Sequence, residues 1–304
     1  MSSVLKCPDV HPQIPIEFAS QDIARSLNHP IPLISHREDS PVSVTRFKEE
    51  FYGAKRPVIL RHSNEQWKAF DQWRDLGWWC EQFGHRLVPI EIGRLNLTQQ
   101  HNGSSQKEQW RESTMTIRDF IHQYIQPDVA RCTQETPVAQ DNSSIGYLAQ
   151  HHLFDQLPRL REDFDIPPYC QVSAEAPGQW DHVKMNAWFG TSGTVTSLHF
   201  DSYDNFLTQV VGYKYVRLYA PEQSENLYPI QRENGEEEKG HDVTAQNNIS
   251  PVDVENPDLQ AHPNFANAPY LEFILGPRDM LFIPQNWWHY VRSLSPSFSI
   301  NFWF

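Results

Sequence analysis

AWFG at 187–190, TVTSLHFD at 194–201, NFLTQVVG at 205–212 and YKYVRLYA at 213–220 are four short runs of aromatic and β-branched residues separated by turn formers. Such residues suit a pleated, half-buried surface better than a helix. The same cadence returns in LEFIL (271–275), MLFIP (280–284), WWHYVRSL (287–294) and FSINFWF (298–304), with turns marked by Gly276-Pro277 and Ser295-Pro296. Seven or eight short strands with hairpin connections over about 120 residues predict a mainly β barrel or sandwich, and argue against a parallel sheet. The last strand, FSINFWF, fits either a core strand or a dimer seam, and the core is favoured.

Upstream of this core the pattern is mixed. Residues 1–42, rich in Pro, Ser and His, read as an extended arm or a loosely packed entry segment. Residues 43–145 read as a helix-and-strand part packing on the core, which runs over 146–304. Ser43 offers a cap for a helix carrying Val44, Phe47 and Phe51, and PVILR (57–61) reads as a strand. Trp67, Phe70, Trp73, Leu76, Trp79 and Phe83 suggest helical turns, and LVPIEIG (87–93) a second strand interrupted by Glu91. The polar stretch 94–113 predicts a mobile surface loop. Thr116 and Asp119 then resemble a capping box before a helical face of Phe120, Ile121, Tyr124 and Ile125, and IGYLAQ (145–150) reads as a strand. The acidic stretch 232–242 predicts a solvated loop. No fixed-period repeat and no phosphate-binding glycine loop occurs.

Composition narrows the function. A chain of 304 residues with 39% hydrophobic and 12% aromatic content folds rather than remaining disordered. Its net charge of -13 argues against nonspecific nucleic-acid binding, which needs a basic surface, and favours a basic partner. No run reaches the roughly 18 apolar residues of a membrane span. Cys7, Cys80, Cys132 and Cys170 form no CxxC pair, so a reducing compartment, cytoplasm or nucleus, is expected.

The chemistry gathers in the β-rich half. In His199-Phe200-Asp201 the outer two side chains leave the same face of a predicted strand and can grip one ion. With 14 histidines in the chain, roughly one His-x-Asp triplet arises by chance, so the triplet alone decides nothing. His36-Arg37-Glu38 has the same chemical form but sits in the arm without strand periodicity. His289, in WWHYVRSL, is the partner a barrel can bring opposite the first pair. Two histidines and one carboxylate leave three metal positions open, the arrangement that suits non-haem Fe(II) and O2. The alternative makes His289 a core histidine within an aromatic cluster. Lys214 lies in an apolar, aromatic strand pair; pointing inward it needs an anion, and pointing outward it snorkels to solvent.

The segments 186–229, 250–259 (SPVDVENPDL) and 280–304, with PVILR, LVPIEIG and GYLAQHHLFDQLP (146–158) in register, resemble the JmjC oxygenases from about Phe47 to Phe304. The resemblance implies a double-stranded β-helix, or jelly roll, of cupin type, with Fe(II) held by His199, Asp201 and His289. It implies 2-oxoglutarate chelating the iron through its keto-acid end while Lys214 and Tyr147 hold the distal carboxylate, assisted by Thr196 and Asn205. O2 is the further cosubstrate. Gln150 and Trp188 become cavity walls, and Glu91 a carboxylate for an arginine guanidinium. Each has a plainer alternative: Tyr147 as a strand aromatic, Thr196 as a sheet residue, Asn205 as a turn former, Glu91 as an exposed edge-strand glutamate. The loop after Glu91 departs from the family by its length, its polarity and the Asn96 standing where a Tyr is expected. The acidic stretch is a second departure.

The expected function is an Fe(II)- and 2-oxoglutarate-dependent dioxygenase hydroxylating a side chain of a protein or peptide, arginine foremost. The rivals are N-methyl-lysine demethylation of histone tails by the same chemistry, and a catalytically silent cupin that binds a peptide. No HExxH motif supports a peptidase.

Overall fold

The computed structural model describes residues 12–17, 27–35, 42–61, 63–94, 111–133, 144–230 and 248–304. His36-Arg37-Glu38, Asn96 and the stretch 232–242 lie outside the described residues. Thirteen strands are present among those described. They are β1 (Leu33–Ser35), β2 (Val58–Arg61), β3 (Leu87–Arg94), β4 (Arg111–Thr116), β5 (Ser144–His151), β6 (Lys184–Gly190) and β7 (Val195–His199). The rest are β8 (Asn205–Val211), β9 (Lys214–Tyr219), β10 (Leu271–Leu275), β11 (Asp279–Ile283), β12 (Trp288–Ser293) and β13 (Ser297–Trp303). One sheet has nine strands in the order β1-β2-β11-β8-β13-β6-β5-β3-β4, and the other has four, β10-β9-β12-β7. From β6 onward the chain alternates between the two sheets, except that β9 and β10 pair within the smaller one. That alternation makes the double-stranded β-helix.

Period-two patterning explains how the sheets face each other. In β13, Phe298, Ile300 and Phe302 join the large aromatic core on the outer face, while Ser299, Asn301 and Trp303 turn toward the barrel interior. Between the sheets, Leu207, Leu281 and Ile283 of the larger meet Val216, Leu218 and Val291 of the smaller. The outer core is aromatic: Trp73 and Trp79 pack on Phe298 with centroids 4.7 and 5.6 Å apart, and Trp73 Nε1 donates to the buried Asp163 carboxylate at 2.9 Å. FSINFWF is therefore a central core strand, flanked by β6 and β8.

Three of the short helices carry side-chain caps, those of Ser43 and Thr116 where the sequence predicts them. The Ser43 side chain accepts from Arg46 N–H before α1 (Val44–Phe47), and Asp75 from Trp78 N–H before a helix over Leu76–Gln82. Thr116 accepts from Asp119 N–H at 3.0 Å before a helix over Ile117–Phe120. Gly212, at φ +73°, carries the turn from β8 to β9, where a Cβ would collide with the Pro296 carbonyl.

Three expectations need correction. The predicted loop 94–113 is in part strand: Arg94 ends β3, and Arg111–Thr116 forms β4, paired antiparallel with β3. A polar edge strand carries no hydrophobic alternation, so it reads like a loop. The arm is not wholly extended coil either, because Leu33–Ser35 pairs parallel with β2 and Ile14 and Ile31 are buried. That pair is the one parallel pairing among the described strands. Finally, the strand expected over 194–201 stops at His199, leaving Asp201 in the following loop. No helix among the described residues is long and apolar enough to cross a membrane.

Candidate metal centre

β7 and β12 are neighbours in the smaller sheet, and their register sets His199 directly opposite His289. Cross-strand partners share a face, so both imidazoles enter the barrel side by side, ring centroids 4.1 Å apart. Asp201, two residues past His199, turns back between them. Its Oδ1 lies 3.8 Å from His199 Nε2 and its Oδ2 lies 3.6 Å from His289 Nε2. Among the described residues this is the one group of three such side chains whose donor atoms come within 4.8 Å of one another.

The tautomers suit a metal. His199 Nδ1–H donates to Ser197 O at 2.8 Å and His289 Nδ1–H to Trp287 O at 3.0 Å, which leaves both Nε2 lone pairs facing Asp201. Burial, with the neighbouring His199 imidazole, holds His289 well below the ordinary histidine range, so its ring stays neutral at pH 7. Two imidazoles and a carboxylate form the donor set that non-haem Fe(II) takes.

The triad opens on a cavity whose empty space, open mouth included, is about 440 Å3. The expected cosubstrate residues Tyr147, Thr196, Asn205 and Lys214 all line it, as do Gln150 and Trp188. Lys214, 2% exposed, points inward from β9, with Nζ 5.8 Å from the Tyr147 ring centroid. No carboxylate among the described residues pairs with it, and burial pulls its pKa from 10.5 down to about 7. Burial holds the Tyr147 phenol protonated while its hydroxyl hydrogen-bonds the Thr196 side chain. Gly190 makes room for that ring, since a Cβ there would stand 2.6 Å from Tyr147 Cδ2. Asn205 Oδ1 is buried without a partner, an amide left free toward the cavity.

Glu91 sits apart from this group. It does not line the cavity, yet it is cross-strand neighbour to Tyr147 on one side and Glu112 on the other. It is half-buried on an interior strand, not an edge. Burial and the facing Glu112 raise its pKa. Sequence reading missed Asn301 and Trp303, which also line the cavity: Asn301 Oδ1 accepts from Trp188 Nε1–H at 3.0 Å, and Trp303 Nε1 is buried without a partner. The alternation of FSINFWF, which turns Ser299, Asn301 and Trp303 to one face, is the signal that could have found them. Gln150 at φ +44° and Asn286 at φ +67° hold left-handed backbone beside the site, a cost kept only where the surroundings fix it.

A jelly-roll barrel carrying a two-histidine, one-carboxylate set beside a cavity defines a cupin-type protein with a candidate metal centre. The chain belongs to the cupin-like domain family, whose model matches residues 44–304, and its relatives place it among the JmjC proteins. It is 41% identical over 263 residues to lysine-specific demethylase 8 of Danio rerio, covering 86% of this chain and 56% of that one. It is 39% identical over 282 residues to JmjC domain-containing protein F of Dictyostelium discoideum, covering 85% and 59%. To Jumonji C domain-containing protein 5 of Drosophila melanogaster it is 35% identical over 266 residues, covering 87% and 58%. The chain thus spans somewhat over half the length of these curated relatives.

Proposed function

We propose that this chain is an Fe(II)- and 2-oxoglutarate-dependent dioxygenase that hydroxylates an arginine side chain of a protein. The observation that carries the reading is one cavity shared by the His199–Asp201–His289 set and a buried lysine with no carboxylate partner among the described residues. A buried ammonium needs an anion, and a dicarboxylate bound at the metal through one end brings the other as that anion. Fe(II) with 2-oxoglutarate supplies the O2 activation, the cosubstrate leaving as succinate and CO2. His199, Asp201 and His289 hold the metal. Lys214 and the Tyr147 and Thr196 hydroxyls bind and orient the distal carboxylate, and Asn205 offers its free amide beside them. Trp188 and Gln150 wall the cavity and exclude water.

Arginine is favoured over methyl-lysine by Glu91, whose half-buried carboxylate beside Tyr147 can meet a guanidinium in paired hydrogen bonds. The net charge of -13 draws basic substrates generally. Methyl-lysine demethylation is the second reading, favoured by the names of the Danio relative and by the Trp188 and Trp303 walls, since aromatic faces accept a methylammonium. The test is succinate release by the iron-loaded protein with arginine-containing peptides, His199→Ala serving as control. Peptide mass separates the readings: gain of one oxygen marks hydroxylation, loss of a methyl group demethylation. No succinate from the wild type overturns both.

A further inference from the structure

Strand pairing places His199 against His289, but Asp201 lies beyond the end of β7, where no sheet ladder holds it. Loop-to-turn bonds hold it instead. Asn286 N–H donates to Asp201 O at 2.9 Å, and Gln285 Nε2–H to Ser202 O at 2.8 Å. Gln285 N–H donates to Asp204 Oδ1 at 2.9 Å. The Asp204 side chain, 8% exposed, is gripped in turn by Lys55 Nζ, 3.0 Å from Oδ1 and 2.9 Å from Oδ2, and Phe304 N–H donates to its carbonyl. Lys55 at φ 48° and Asn286 at φ 67° hold left-handed backbone at the two ends of this arrangement.

We propose that Asp204 is a positioning residue for the metal: seated by Lys55, it clamps the loop carrying Asp201 to the turn that leads into His289. The inference rests on reading His199, Asp201 and His289 as the metal ligands. A ligand already held in place loses little freedom when the ion arrives, so the clamp acts as added affinity. The Lys55 contact alone is worth little, because that lysine is half exposed. The buried acceptor for Gln285 N–H is what ties the two ligand-bearing segments together.

Co(II) alone serves as the probe, titrated into the full chain and followed by its visible d–d absorption. Outer groups of this kind change metal affinity by about 10- to 100-fold, so Asp204→Ala is expected to weaken Co(II) binding by that amount. Asp204→Asn keeps an oxygen for Gln285 N–H and recovers most of the affinity. Gln285→Ala, at an exposed side chain, removes the bond to Ser202 O and costs about threefold or more. Wild-type affinity in Asp204→Ala, or an equal loss in Asp204→Asn, overturns the positioning role. Should Asp204→Ala not fold, Gln285→Ala decides, and unchanged affinity there overturns it. If His199→Ala binds Co(II) like the wild type, the triad reading fails first and the clamp with it. If His199→Ala loses binding while Asp204→Ala keeps it, only the clamp fails.

Discussion

Replacing Lys214 with methionine should stabilise the ligand-free protein and abolish its response to 2-oxoglutarate. The lysine is buried in the cavity, and burial moves its pKa from 10.5 to about 7. Below pH 7 both the native and unfolded states carry the proton, and the native state bears the full cost of burying it, at most about 5 kcal/mol for a displacement of that size. Between pH 7 and the unfolded value of 10.5 the unfolded chain holds a proton that the native state has released. Stability therefore rises with pH across that window, and the cost is gone above it. Methionine fills similar volume without the charge, so Lys214→Met removes this pH dependence and gains up to about 4 kcal/mol at pH 7, less whatever packing is lost. Urea unfolding of both proteins at pH 7 and 9.5, with and without 2-oxoglutarate, makes the comparison. The dicarboxylate should stabilise the wild type at pH 7 and leave Lys214→Met unmoved. A methionine variant less stable than the wild type at pH 7 without ligand would refute the reasoning, because it would mean the ammonium already has its counter-charge.

Gly190→Ala pushes a methyl into the Tyr147 ring, so KM for 2-oxoglutarate should rise about tenfold or more while Co(II) affinity holds. Glu91→Gln should lower kcat/KM for an arginine peptide by about 10- to 100-fold, the worth of a charge-assisted hydrogen bond, and leave KM for 2-oxoglutarate unchanged. Steady-state kinetics with each substrate varied checks both. Thr116→Ala removes the cap of the helix over Ile117–Phe120 and should cost about 1 kcal/mol in urea unfolding without touching the site.

Why some of this was legible in the sequence and some not follows from what each signal depends on. His199 and His289 could be paired because aromatic, β-branched runs announce strands, and inward side chains of a barrel converge. Lys214 faced inward for the same reason, although alternation alone left its direction open. Asp201 meets the two histidines by a route that strand logic did not describe: the strand ends before it, and the loop is held by the turn at 284–287. β4 escaped notice because an edge strand of Arg, Glu, Ser and Thr shows no apolar alternation, and β1 because three residues are too few to display any period. Glu91 was unreadable for a different reason. Its burial depends on β4 lying outside it, the very strand whose polar sequence reads as a loop.

The place of β13 has a consequence for folding. The last of the described strands in chain order is the one that joins β6 to β8 in the middle of the nine-stranded sheet. Until it inserts, the aromatic face that meets Trp73 and Trp79 is missing and the barrel cannot close. Closure of the barrel therefore waits on contacts distant in sequence and slow to form, and a folding intermediate without them exposes sheet edges on both β6 and β8.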